Sequence, residues 1–397
     1  MAAVAPYARQ PWKTIYITSE VLLVITLLPV WAVTFLFTRP RPTWSWTQSM
    51  LVAVVRRLAD MPNAVGAFLP CPDYRAIEPT SNAEGAWIDG VPNLITAELR
   101  IFSAVANVAP VRIPGYWYAK KGFPREPASP VEPNQRVFLF IHGGAFTQLS
   151  AHPKCMTSTL PQSLVELSDN ATHALSVEYR RSSISPLPDQ HPFPAALLDA
   201  LAGYNYLVNT IGYDPRNVIV AGDSAGGNLA LALTRYLVEN KGTADVTLPS
   251  PPGYLLLVSP WADLSNSHAT PGSAAFTNNA DVIGSFYTGR GYPPYSALAY
   301  LGPFGLGMAF YNRYISPASM SPFVQARFKG FPRTFIIAGG AERLVDQIRT
   351  LRDKMAKDME TSQVGYYEGT DAIHDYFIFT WYPGRFDVLK AIQEWLG

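Results

Sequence analysis

Residues 218–233 read VIVAGDSAGGNLALAL, and the fold turns on how this stretch is read. Val218 to Ala221 is short, apolar and β-branched, the signature of a buried strand. Asn228 onward has the composition of a helix. Between them Gly222-Asp223-Ser224-Ala225-Gly226 fits G-x-S-x-G, with glycines where the turn is too tight for a Cβ. Such a turn lifts a serine hydroxyl to a helix N-terminus, where free N–H groups and the helix dipole favour developing negative charge. A glycine-rich strand-to-helix connection with no chemistry has the same outline, so the residues around Ser224 must decide.

Alternation of strand and helix signals surrounds this turn. Strands are expected at 137–141, 174–179, 218–221, 254–259, 334–338 and 363–367, and helices at 160–167, 195–208, 228–238, 343–355 and 386–396. That order specifies an α/β fold with a mostly parallel central sheet and helices on both faces. Ligands of such sheets bind beyond the carboxyl ends of the strands, where Ser224 sits. Residues 262–327, rich in Gly, Ser, Asn, Pro and Tyr, interrupt the rhythm and are expected to form a lid or substrate wall. Residues 60–125 show no clear period. The expected organisation is a tail over 1–14, an anchor over 15–37, cap and approach segments over 38–125, and the α/β domain over 126–397.

The chain of 397 residues carries a formal charge of +1, which gives no footprint for nucleic acid. Nearly half of it is hydrophobic, suited to a large core, a lipophilic ligand or a membrane surface. Ile15 to Phe37 is almost wholly apolar and long enough to cross a bilayer as a helix, with Pro29 inside it and Glu20 near its start. Thr38-Arg39-Pro40-Arg41-Pro42 follows in place of a small-residue cleavage site, so an uncleaved anchor is expected. Arg39, Arg41, Arg56 and Arg57 after the span place the body in the cytosol by charge. Asn170-Ala171-Thr172 is a glycosylation acceptor that matters only in a lumenal body, so the side stays open. The stripe from Trp44 to Leu58 either lies in the membrane interface or packs on the core. Cys71 and Cys155, the two cysteines, are either one disulfide or two thiols. Neither a metal-binding pattern nor a cofactor motif is found.

A serine hydroxyl needs a base close by, and that base needs an acid to fix its tautomer. With this turn both partners follow the serine in the chain, which leaves His268 and His374 of six histidines. His374 comes just after the last expected strand and is the expected base; His268, inside the insertion, is expected on the surface. The acid is expected after the strand at 334–338, as Glu342, with Asp346 in the first turn of the next helix as the alternative. Phe138 to Phe146, FLFIHGGAF, offers a strand and then His142-Gly143-Gly144-Ala145. The N–H of Gly143 or Gly144, of Ala145, and of Ala225 would form an oxyanion hole, with His142 structural.

These motifs resemble the hormone-sensitive lipase family of α/β-hydrolases, which includes arylacetamide deacetylases and fungal steryl acetyl hydrolases. The similarity runs from about Gln135 to the C-terminus. It includes the His142-Gly-Gly loop, Glu178-Tyr-Arg180, His191-Pro-Phe-Pro-Ala-Ala196, the Ser224 turn, Ser259-Pro-Trp-Ala-Asp-Leu264 and His374. The resemblance implies the α/β-hydrolase fold and carboxylic ester hydrolysis through an acyl-serine without a cofactor. The family's membrane-anchored deacetylases also carry one N-terminal span and a lumenal body, which fits Ile15 to Phe37 and an endoplasmic-reticulum location; a small lipophilic ester is expected as substrate from the anchor and the aromatic insertion. Three departures stand out. Ala145 replaces a third glycine, Glu342-Arg-Leu replaces Asp-Pro-Leu at the acid, and Ser182 to Gln190 lengthens the loop before His191. An acyltransferase using the same triad shares every one of these motifs, while the intact Ser224, His374 and acid argue against a non-catalytic binder of the same fold.

Overall fold

The computed structural model describes residues 5–66, 68, 71–243, 245–284 and 295–397. Residues 1–4 of the expected tail, 67, 69 and 70 of the cap and approach segments, and 244 and 285–294 of the α/β domain, the last within the insertion, lie outside the described residues.

Two strands with no polar side chain until their ends set the centre of the sheet. β3 (Val137–Ile141) is buried at every position, as is β5 (Val218–Asp223), which lies beside it in parallel with Ile141 opposite Gly222. A strand apolar on both faces must be covered on both. Val137, Leu139 and Ile141 point to one hydrophobic cluster and Phe138 and Phe140 to a second, as the two-residue period of a strand requires. The eight strands run in the order β1-β2-β4-β3-β5-β6-β7-β8. They comprise β1 (Glu84–Ile88), β2 (Ile113–Ala119), β4 (His173–Val177), β6 (Tyr254–Val258), β7 (Arg333–Gly339) and β8 (Val364–Gly369), besides the two central ones. β3 to β8 are parallel, while β1 and β2 are antiparallel additions at one edge.

Helices cover both faces. α1 (Trp12–Phe37), α2 (Trp46–Val65), α3 (Ala97–Ala106), α4 (Thr159–Leu167), α5 (Ala195–Asn205) and α6 (Ser224–Glu239) come first in the chain. α7 (Ala274–Thr277), α8 (Tyr295–Leu301), α9 (Val345–Asp358) and α10 (Arg385–Leu396) follow. Leu197 and Leu201 of α5, Leu229 and Leu233 of α6 and Ile348 of α9 fill the first cluster. Leu160 and Leu164 of α4 and Val388 and Ile392 of α10 fill the second.

Three local expectations are corrected, and one left open is decided. Residues 84–119, read as cap and approach segments without a period, supply two strands of the main sheet. Their interruptions, Gly85, Pro114 and Gly115, weaken a strand pattern that only the edge partner completes. α6 begins at Ser224 itself, since the tight turn leads straight into the helix. Of the two readings of the stripe from Trp44 to Leu58, packing on the core is the one found: Trp44 is buried with its Nε1 donating to the Asp371 carbonyl at 2.8 Å, and Val52 of α2 packs in the second cluster. His268 is buried, not on the surface, because Asp263 and Thr350 take its two ring nitrogens at 2.8 and 2.9 Å.

α1 has 26 residues and a mean hydropathy of 2.2 over its most apolar window, enough in length and composition to cross a membrane. α2 returns antiparallel to it: Trp46 Nε1 donates to the Ala32 carbonyl at 2.9 Å, and Arg57 pairs with Glu20 at 3.2 Å. Glu20 is thereby neutralised within a helix that otherwise carries few charges. The two cysteines are free thiols whose sulfurs stand 3.4 Å apart.

Candidate active site

The elbow is built by steric exclusion. Ser224 is the first residue of α6, with φ +50°, a left-handed conformation that a non-glycine residue adopts only where its surroundings hold it. The helix can start so close to the sheet because Gly226 has no side chain: a Cβ there would run into the Ile141 carbonyl oxygen. Ser224 is half-buried, and among the described residues its Oγ has no hydrogen-bond partner. Its carbonyl accepts from Trp261 N at 2.9 Å, which ties the elbow to the segment after β6.

Glu342 and His374 arrive from the next two strands. Glu342 lies just beyond β7, fully buried, and His374 just beyond β8. His374 Nδ1 is 3.0 Å from Glu342 Oε2. Asp346 does not reach the histidine; its Oδ2 accepts from Ala274 N at 2.7 Å, and its Oδ1 pairs with Arg349 at 3.6 Å. Two carboxylates that sequence reasoning missed also meet His374. Asp281, in the insertion, accepts the His374 N–H at 2.9 Å and the Arg343 N–H at 2.8 Å. Asp375 Oδ2 is 3.0 Å from His374 Nε2. Asn278 donates to the Glu342 carbonyl at 2.8 Å, so the insertion braces the acid's backbone as well. Adjacency to His374 was the one available signal for Asp375; Asp281, distant in the chain, left none.

The electrostatics follow from burial. Desolvation raises the Glu342 carboxyl, with the hydrogen bond to His374 pulling the other way. Burial by itself lowers His374, but the Asp375 and Glu342 carboxylates outweigh it and hold the imidazole well above its ordinary value. Desolvation likewise raises Asp223, and the neighbouring Asp375 charge adds to this.

The His142–Ala145 loop lies against the elbow. Gly143 N donates to Asp223 Oδ1 at 2.8 Å, which corrects its expected place among the oxyanion donors: that N–H is already engaged. Gly144 at φ +106° and Ala145 at φ +51° turn the chain outward, and both are half-exposed. Their N–H groups and that of Ala225, in the first turn of α6, have no acceptor among the described residues. Phe146 closes the loop by stacking on Tyr300 of α8 with ring centroids 3.7 Å apart. His142 is fully buried, bonded through Nδ1 to the Gly143 carbonyl at 2.7 Å and stacked on Tyr179. Burial lowers its pKa to about 3, so it stays neutral.

A serine on an elbow, an imidazole backed by a buried carboxylate and unengaged N–H groups at one sheet edge form the constellation of a hydrolase. A model of the alpha/beta hydrolase fold family matches residues 138–378, and the chain belongs to that family. Esterase LipU of Mycobacterium tuberculosis is 27% identical over 269 residues, 67% of this chain and 79% of that protein. An acetyl-hydrolase of Streptomyces hygroscopicus is 36% identical over 145 residues, 36% of this chain but under half, 42%, of that protein. Arylacetamide deacetylase-like 2 of Homo sapiens is 31% identical over 116 residues, 27% of this chain and 25% of that protein. Among solved structures, a hormone-sensitive lipase from a metagenome library superposes with a TM-score of 0.56 at 21% identity. It covers 94% of this chain and 97% of that one, a likeness in fold.

Proposed function

We propose that Ser224, His374 and Glu342 form the triad of a serine esterase acting on small lipophilic esters, acetyl esters foremost. The chain is a carboxylic ester hydrolase, in keeping with relatives named esterase and acetyl-hydrolase. The observation that carries the triad is the 3.0 Å contact of His374 Nδ1 with a fully buried Glu342, on the sheet edge where Ser224 heads α6.

In this reading Glu342 fixes the tautomer that leaves Nε2 for the serine. His374 takes the Ser224 proton as Oγ adds to the ester carbonyl. The N–H groups of Gly144, Ala145 and Ala225 receive the oxyanion, each donor worth roughly 3 kcal/mol in the transition state. His374 then gives its proton to the departing alcohol, leaving the acyl group on Ser224. Water repeats the sequence with His374 as base and releases the acid. α1 holds the enzyme at a membrane, as a single-pass anchor of the endoplasmic reticulum, and the insertion forms a substrate wall. Exposed Asn170 would carry a glycan if the body is lumenal.

A fluorophosphonate probe should label wild-type protein at Ser224, and Ser224→Ala should abolish labelling. Turnover of an acetyl ester should fall by about 10³-fold or more in Ser224→Ala and in His374→Ala with the fold intact. An unlabelled wild-type protein would indicate a binder. Product carrying the acyl group on an added alcohol, with little free acid, would indicate a transferase.

A further inference from the structure

His374 is held from both sides, and the two holds have opposite consequences. Nδ1 faces Glu342 Oε2 at 3.0 Å, the hydrogen bond a general base requires. Nε2 faces Asp375 Oδ2, also at 3.0 Å. A carboxylate and an imine nitrogen both accept, so this second contact, an ion pair rather than an aligned hydrogen bond, is favourable only when the ring carries a proton on Nε2. With Nδ1–H already given to Glu342, a proton on Nε2 makes the ring an imidazolium, and an imidazolium cannot accept the Ser224 proton.

We propose that Asp375 is a positioning residue that clamps His374 Nε2 in a resting state, and that release of this clamp precedes attack by Ser224. The proposal rests on the triad reading. The clamp is built into the fold. Asp375 sits at φ +49°, a left-handed turn that swings its side chain back beside the ring of the preceding residue. Its N–H donates to Ser259 Oγ, 3.2 Å away at the end of β6, which anchors the turn. Its other oxygen, Oδ1, is buried without a partner, so the contact with His374 is the polar attachment its carboxylate has among the described residues. Ser224 Oγ, meanwhile, makes no hydrogen bond among the described residues. The other charged groups around the ring are Glu342 after β7, Asp281 in the insertion, which Arg343 N partly satisfies, and Asp223 at the end of β5. Asp375 is the one whose carboxylate sits on the nitrogen that the reaction uses.

Removing that carboxylate has two readable effects. The imidazolium loses a counter-charge, so His374 becomes a free base at lower pH. Nε2 also becomes available without a clamp to open. The acid limb of kcat/KM against pH, measured on full-length protein with p-nitrophenyl acetate, should therefore move down by about 1 pH unit or more in Asp375→Asn. Asp375→Ser, which also lacks the charge, should move it the same way, and fluorophosphonate labelling of Ser224 at acid pH should speed up in both. In wild-type protein, ¹⁵N NMR of the His374 ring should show a protonated Nε2 at neutral pH that loses its proton as the limb rises. An acid limb that stays put in the variants, or a wild-type ring with Nε2 unprotonated at neutral pH, would overturn the clamp while leaving the triad in place. Failure of Ser224 to label in the wild type removes the triad reading instead.

Discussion

Glu342 has no contact with solvent, and a carboxylate there keeps its charge only through what donates to it. Its Oε2 has His374; its Oε1 is buried with no hydrogen-bond partner among the described residues. Glu342→Gln keeps the shape but removes the counter-charge and allows the wrong tautomer. kcat should fall by about 10²- to 10⁴-fold while KM changes little, as steady-state kinetics would read. A near-normal kcat would shift the role to Asp281, the other buried carboxylate bonded to this histidine's backbone. Residues of this kind differ in how visible they are in a sequence. Ser224 has a motif around it, and His374 has a place in chain order. Asp281 has neither, because its closeness to His374 comes from an insertion folding back over 93 residues.

At the scale of elements, one buried ion pair fastens β4 to α5. Arg180, shortly after β4, and Asp199 in α5 are 4% and 1% exposed and meet at 2.8 Å. Arg180 Nε and its backbone N–H also donate to the same carboxylate. Losing one partner strands the other in the core. Arg180→Leu should destabilise the fold by about 3–5 kcal/mol in denaturant titrations. The double variant with Asp199→Leu should regain much of the loss, since no charge is then left unpaired. The Glu178-Tyr-Arg180 motif was legible in the sequence, but not its partner. Elements followed the same division. β3, β5 and β7 carry uninterrupted apolar runs and could be read directly. β1 and β2 could not, because Gly85, Pro114 and Gly115 interrupt a pattern that only pairing with neighbouring strands completes. The start of α6 was placed four residues late because glycine and serine are poor helix formers, and sheet contact overrides that preference here.

For the whole molecule, stability should depend on pH through Glu178. It is fully buried, with Oε2 accepting from Ser150 Oγ at 2.5 Å and from Ala151 N at 2.8 Å, while Oε1 has no partner among the described residues. Burial raises its pKa from 4.5 to about 8. The folded state therefore keeps a proton that the unfolded chain has lost, and stability declines as pH rises between those values. Thermal unfolding of Glu178→Gln should show little change from wild type at acid pH and a gain in Tm above pH ~8. On the proposed anchor reading, α1 sets location more than folding, since only 11% of its most apolar window is buried. Removing residues 1–37 should shift the protein from membrane pellet to supernatant while turnover of a short soluble ester persists. Loss of activity on truncation would mean that α1, through α2 and the Trp44–Asp371 bond, also supports the His374 loop.

The sequence by itself determined the α/β fold, the serine elbow, the glycine loop and the apolar N-terminal helix. Each is written in neighbouring residues: a period, a tight turn, a run of one polarity. The sequence favoured Glu342 over Asp346, and Glu342 is the one that faces His374; tertiary structure alone decided that Asp281 holds the His374 backbone, that the Gly143 N–H is taken by Asp223, and that Asp375 faces Nε2. Those are relations between side chains brought together by different strands and loops. Their distances are set by how the sheet packs, and no local pattern in the chain encodes them.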